Sequence, residues 1–136
     1  MTNCLFCKIA SGEILSQKIY EDDDTLAFLD INPVNPGHVL IIPKEHFVNM
    51  AEASGEALRN LISVAPKIAK AVCEALDYKG YNFSTNNGGI AGQEVMHLHF
   101  HIIPRKKDDG HPRFIRGGYE EGQMEEIALK INKALK

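Results

Sequence analysis

The sequence has no long apolar run. Its longest, Val39–Ile42, is far short of the roughly 20 residues that a membrane-spanning helix needs. It has no excess of positive charge either. Its 15 Lys and Arg stand against 18 Asp and Glu, giving a net charge of −3 and a pI near 6.0, whereas proteins that grip long nucleic acids are typically basic. The opening Met1-Thr2-Asn3-Cys4 lacks a basic segment followed by an apolar one, so no secretory signal is expected and a cytoplasmic location is the default. Cysteine is sparse and odd in number, at three. Without export, the pair Cys4-Leu5-Phe6-Cys7 points to metal or redox chemistry before a disulfide framework. Such a framework is not needed. A chain of 136 residues, 44% hydrophobic, is expected to form one domain over 1–136. A domain of that size buries roughly two-thirds of the surface its unfolded chain exposes. What the sequence does have is histidine: six, of which His97, His99 and His101 fall within one short stretch.

Apolar periodicity gives the expected elements. Lys18–Glu21 and Thr25–Leu29 flank the acidic turn Asp22–Asp24 and read as a hairpin. Asn32–Gly37 carries two prolines and reads as a loop, followed by a buried strand at His38–Pro43 and a short helical turn at Glu45–Ala51. From Glu56 to Leu76, residues such as Leu58, Leu61, Ile62, Ala65, Ile68, Ala69, Val72 and Leu76 recur at three- and four-residue steps. That is one face of a long helix, with Ser54 as its N-cap and Pro66 as a bend. Tyr81–Thr85 reads as a strand, Asn86–Gly92 as a glycine-rich loop, and Met96–Ile103 as the most regular strand. Lys106–Gly118 reads as a mobile loop. Glu120–Leu135 reads as a last helix, with Met124, Ile127, Ala128, Ile131 and Leu135 on its apolar face. The class is α+β.

In a strand, Leu98, Phe100 and Ile102 face one side and His97, His99 and His101 the other, each about 7 Å from the next. In a helix the three rings would scatter, so the strand is favoured. Neighbouring imidazoles can share an ion, but the outer two stand about 13 Å apart on a straight strand, so all three do not easily hold one metal. Divided roles are expected. A neutral imidazole with a fixed tautomer is a good nucleophile. Backbone N–H groups of the adjacent glycine-rich loop suit an anion. Together they suggest attack on a phosphate.

The segment Gly92-Gln93-Glu94-Val95-Met96-His97-Leu98-His99-Phe100-His101-Ile102-Ile103 resembles the signature of the histidine-triad (HIT) family. Leu26–Pro33 and Pro36–Lys44 resemble that family's N-terminal strands, so the likeness spans roughly Cys4 to Arg105. The resemblance implies an antiparallel sheet of about five strands with one long helix and a C-terminal helix. It implies an enzyme that binds purine, AMP-like nucleotides and cleaves phosphoramidate or polyphosphate conjugates at the α-phosphate. His99 would be the nucleophile that forms a covalent nucleotidyl-histidine, and His101 would contact phosphate oxygens. The carbonyl of His97 would hold the His99 tautomer, and His38 would be a fourth, supporting histidine. Asp30 would bind the ribose hydroxyls, Asn86 and Gln93 would sit near the phosphates, and Leu5, Phe6, Ile9, Phe28 and Ile31 would line the base pocket. A homodimer built on the long helix and a sheet edge is also implied. Position 94 departs from the pattern. Nucleoside phosphoramidases of the family usually have Ser there and dinucleoside polyphosphate hydrolases Thr, whereas this chain has Glu94.

Cys4-x-x-Cys7 alone is compatible with a zinc half-site, a redox pair or coincidence. The resemblance implies a structural zinc on Cys4, Cys7, His46 and His97, as in some prokaryotic members, which gives His97 a role apart from His99 and His101. Cys73 is expected to be a buried small hydrophobe, and His111 has no expected role. Two other classes compete with the nucleotidyl hydrolase. One is a nucleotide-binding module with little turnover. The other is a zinc hydrolase using the histidine strand, for which no acidic general base is placed.

Overall fold

The computed structural model describes residues 3–136; Met1 and Thr2, which open the stretch read for an export signal, lie outside it. The element order is α1 (Leu5–Ala10), β1 (Lys18–Glu21), β2 (Thr25–Leu29), β3 (Val39–Pro43), α2 (Gly55–Leu76), β4 (Gly80–Ser84), β5 (Phe100–Arg105) and α3 (Gln123–Ala134), with a 3-10 turn at Gly89–Ala91. The strands form one open antiparallel sheet in the order β1-β2-β3-β5-β4. Asp22 closes the first hairpin, because its Oδ1 accepts the N–H groups of Asp24 and Thr25 at 2.8 Å each. Among the described residues no helix is long and apolar enough to cross a membrane.

Strand parity divides the core. Ala27, Val39, Ile41, Phe100 and Ile102 pack with Leu61, Val64, Ala65, Ile68, Ala69 and Val72 of α2. Leu26, Phe28, Leu40 and Ile42 pack on the opposite face with Phe6 and Ile9 of α1. Side chains alternate along a strand, so residues 30, 38 and 101 continue the α1 face. His101 stands directly opposite Leu40 in the β3–β5 ladder. The chemistry-bearing residues therefore share the face that α2 leaves open.

α2 begins where expected, with Ser54 Oγ accepting from the Ala57 N–H at 3.1 Å, and it ends on Asp77 in the left-handed region at φ 58°. Its inward residues are buried, but Ile62 and Leu76 of the same period are exposed. Cys73, expected to be buried, is half-exposed, because it sits at the border of the apolar face.

Four segments differ from the sequence reading. The histidine strand starts at Phe100, not Met96. Before it, backbone groups are drawn out of the ladder. Leu98 N–H donates to Phe47 O, Thr85 Oγ1–H donates to His99 O, and His97 O accepts from the His99 ring. Residues 45–51 form turns and bends without a helix. Residues 106–111 are tied down: Arg105 clasps Asp109 through Nε at 2.6 Å and Nη2 at 2.9 Å, and His111 Nε2 lies 3.0 Å from Val34 O. Finally, α3 forms but buries no residue. Periodicity identifies an amphipathic helix; it does not say what the apolar face meets.

This contrast carries a prediction. Leu61 is fully buried against the sheet, whereas Leu129 of α3 is 62% exposed. Leu61→Ala is expected to cost about 2–5 kcal/mol in urea unfolding, and Leu129→Ala under about 0.5 kcal/mol.

Candidate active site and metal centre

The three triad imidazoles have three different sets of partners. His97 is fully buried and its Nε2 lies 2.8 Å from Pro43 O, so Nε2 carries the proton and donates. Its Nδ1 is left as a lone pair. That nitrogen is 3.4 Å from Cys4 Sγ, 3.5 Å from Cys7 Sγ and 3.2 Å from His46 Nδ1, and Cys7 Sγ is 3.4 Å from His46 Nδ1. Tetrahedral bond lengths of about 2.0 Å to nitrogen and about 2.3 Å to sulfur imply N–N edges near 3.3 Å and N–S edges near 3.5 Å. The four side chains thus fit one tetrahedral metal ion, and all four donor atoms lie within 4.8 Å of one another. A ligating ring held through its other nitrogen by a carbonyl is the usual outer-shell arrangement. Burial also lowers His97 to a pKa of about 4, keeping it neutral and able to ligate. Cys7 is pushed up to about 11, first by burial and then by the neighbouring Cys4, so a cation must displace protons to bind.

His99 is buried, and its Nδ1–H donates to the carbonyl of His97 at 2.7 Å. Its Nε2 is therefore the lone pair. The Phe6 ring meets His99 edge-on at 5.0 Å between centroids, and Phe6 meets Phe28 at 5.5 Å.

The tautomer of His101 follows from a chain of two hydrogen bonds. The backbone N–H of Val34 donates to His38 Nδ1 at 3.0 Å, so neutral His38 carries its proton on Nε2. That atom lies 2.9 Å from His101 Nδ1, which must accept. His101 then carries its proton on Nε2, a buried atom with no partner among the described residues. A buried N–H donor without an acceptor, beside the lone pair of His99 (the rings are 5.1 Å apart), suits an anionic oxygen. Asp30, His38 and His101 are also close enough to hold an ion, but the 2.9 Å hydrogen bond within that group accounts for its geometry without one. Asp30 Oδ2 lies 3.7 Å from His38 Nε2, and its Oδ1 accepts from Asn32 N–H at 2.9 Å.

Burial lowers His101 to a pKa of about 4, helped by His99 and His38 and opposed by Asp30. An NMR titration of the His101 ring is expected to show a midpoint near 4. The unfolded chain takes that proton near 6.5. The stabilisation from neutral His101 is therefore complete above pH 6.5 and is lost as pH falls to about 4.

The remaining expected site residues divide. Phe6, Ile9 and Phe28 are buried in one cluster, with Phe6 against the His99 ring, whereas Leu5 is 45% and Ile31 91% exposed. Asn86 is half-buried in the glycine-rich loop. Gly88 and Gly92 adopt φ of 94° and 97°, and a Cβ on Gly92 would stand 3.3 Å from Asn86 Nδ2. Gln93 differs from expectation. It is buried, its Oε1 accepts from Gly88 N–H, and its amide donates to the carbonyls of Val48 and Val95. These bonds make it a brace of the loop. The N–H groups of Gly88, Ala91, Gly92 and Gln93 are likewise used inside the loop, so its anion cradle is narrower than composition suggested. Glu94 is exposed. Sequence reading missed Val34, Thr85 and Pro43, which act here through backbone or hydroxyl groups, and His111, which braces Val34.

The HIT domain family profile matches residues 11–108. The chain is 50% identical over 137 aligned positions to Protein hit of Bacillus subtilis, covering 98% of this chain and 94% of that one. It is 44% identical to the adenosine 5′-monophosphoramidase hnt1 of Schizosaccharomyces pombe, covering 79% of this chain and 77% of the other. Among solved structures, a Zn-bound histidine triad family protein from Mycobacterium smegmatis superposes with a TM-score of 0.77 at 34% identity, covering 98% of each chain.

Proposed function

The chain belongs to the HIT domain family, and from that membership we propose that it is a cytoplasmic nucleotidyl hydrolase acting through His99. The observation that carries the reading is the pair of fixed tautomers: an Nε2 lone pair on His99 beside an unpartnered Nε2–H on His101. In the proposed reaction the His99 lone pair attacks the α-phosphorus of a purine nucleotide conjugate. The N–P or O–P bond to the leaving group breaks; a departing amine takes the bonding electron pair and a proton from solvent, and a departing phosphate takes the pair as its anion. His101 donates to a non-bridging phosphate oxygen as charge develops there. Water then attacks phosphorus, the N–P bond to His99 breaks with its electron pair returning to Nε2, a proton of the water passes to solvent, and nucleoside monophosphate is released with neutral His99 restored. Asp30 accepts from the ribose hydroxyls, Phe6, Ile9 and Phe28 wall the base with Leu5 and Ile31 at its rim, and Asn86 and the loop braced by Gln93 border the phosphates.

The four-ligand centre is assigned a structural zinc on Cys4, Cys7, His46 and His97; it would hold α1 and the start of the triad in place. The similarity to a named phosphoramidase puts adenosine 5′-phosphoramidate first among substrates, with a diadenosine polyphosphate as the alternative conjugate. The test is a denaturing alkaline quench of the enzyme with each conjugate, followed by peptide mapping at alkaline pH, because the N–P bond of the adduct is acid-labile. A nucleotidyl group on His99 is expected. AMP binding with no turnover of either conjugate would instead indicate a binding module.

The unpaired edge of β4, with exposed Tyr81 and Phe83, and the exposed Ile62 and Leu76 of α2 support a two-fold dimer. Light scattering is expected to give twice the chain mass; 15.1 kDa would overturn the dimer.

A further inference from the structure

We infer that Phe6 is a positioning residue that, together with the His97 carbonyl, couples the Cys4/Cys7/His46/His97 centre to the orientation of the His99 ring. The inference rests on the reading of that centre as a metal site and of His99 as the nucleophile.

Two arms run from one centre to one imidazole. In the first, the His97 ring is gripped at both nitrogens, by Pro43 O at Nε2 and by the centre at Nδ1. A ring so held fixes its own peptide, whose carbonyl is the acceptor for His99 Nδ1–H at 2.7 Å. In the second arm, Cys4 caps α1 and Cys7 lies in its first turn, with Cys7 N–H donating to Cys4 Sγ at 3.4 Å. Phe6 stands between them. Its ring is perpendicular to that of His99 at 5.0 Å, and it also meets His97 at 6.0 Å and Phe28 at 5.5 Å. One arm therefore fixes a ring nitrogen of His99 and the other fixes its ring contact. Thr85 holds the His99 carbonyl at 2.7 Å, so the backbone is fixed as well.

α1 depends on this centre. It has six residues, buries only Phe6 and Ile9, and is far shorter than the roughly 12–15 residues at which isolated helices become even marginal. With the centre empty of ligand bonds, only the packing of Phe6 and Ile9 would tie α1 to the sheet, and Phe6 could shift against the His99 ring. A misplacement of about 1 Å costs a reaction about 100-fold when the attacking atom must be in line.

The experiment uses the full chain in three forms: metal-loaded, chelator-treated, and metal-loaded Phe6→Leu. Leucine keeps an apolar side chain in the core but has no ring edge. The first readout is the nitrogen-15 NMR spectrum of the imidazoles, which reports the His99 tautomer independently of turnover. A single sharp Nδ1–H tautomer is expected in the loaded protein and averaged His99 signals in the chelated form; loaded Phe6→Leu is expected to keep the Nδ1–H tautomer, still held by the His97 carbonyl, with broadened His99 ring signals. The second readout is kinetic. Phe6→Leu is expected to lower kcat about tenfold or more, with KM within about threefold and metal content unchanged. Should the chelated protein unfold, the loaded Phe6→Leu protein decides alone. His99 signals identical to wild type, or a raised KM at constant kcat, would reduce Phe6 to a wall of the base pocket and overturn the coupling. If wild type turns over no conjugate, the proposed reaction fails, while the imidazole spectra still decide whether centre and ring are coupled.

Discussion

Replacing His99 with alanine is expected to lower kcat for adenosine 5′-phosphoramidate by about 10,000-fold or more, and to leave AMP binding within about threefold. The size of the loss follows from the tautomers. No other imidazole at the site offers a free lone pair. His101 Nδ1 accepts from His38, and its Nε2 carries the proton. His38 Nδ1 accepts from Val34, and His97 Nδ1 faces the cysteines. Removing His99 therefore removes the proposed nucleophile without exposing a substitute. Binding is retained because the contacts proposed for ribose and base lie on Asp30, Ile9 and Phe28. Steady-state kinetics beside AMP titration checks both halves. Equal activity in wild type and His99→Ala, abolished by chelator in both, would assign the chemistry to the metal centre.

Much of this arrangement was legible in the sequence because it depends on side-chain type at fixed spacing. The alternation at 97–102 placed Leu98, Phe100 and Ile102 in the core and the histidines on the other side, and all three apolar residues are buried. That pattern survives even though the ladder begins only at Phe100, since an extended segment alternates whether or not it is paired. The period of α2 was equally readable, and so were both strands of the first hairpin. What was not legible acts through groups that every residue carries. The Val34 N–H that sets two tautomers has no sequence signature, nor has the Pro43 carbonyl that turns His97 toward the cysteines. Likewise α1 is too short to show a helical period, and only the fold brings its two cysteines beside the nitrogens of His46 and His97. Gln93 has an amide suited to a phosphate. Only the folded loop shows that amide held by the protein's own carbonyls.

Changing Cys4 to serine is expected to abolish stoichiometric zinc binding and to lower the melting temperature by about 10 °C, as for a loss of about 3 kcal/mol in a chain of this length. Serine is isosteric enough to cap α1, so the change isolates ligation from capping. Its hydroxyl does not ionise near neutrality and is a poor replacement for thiolate. Without the ion, the centre becomes a liability. Two Nδ1 atoms face each other at 3.2 Å, and a thiol pushed up to about 11 sits beside them with its proton. Each of these groups has lost water on folding and regains too little in return. Metal analysis of protein purified without chelators, together with calorimetry, checks the pair. One zinc per chain in wild type and almost none in Cys4→Ser is the expected result. Sub-stoichiometric zinc in wild type with an unchanged melting temperature in Cys4→Ser would make the cluster a set of reduced thiols and core imidazoles. The four donor atoms would then have to hold their tetrahedral spacing by packing alone. Cys4, Cys7 and His46 are all only partly buried, so little packing is available to do so.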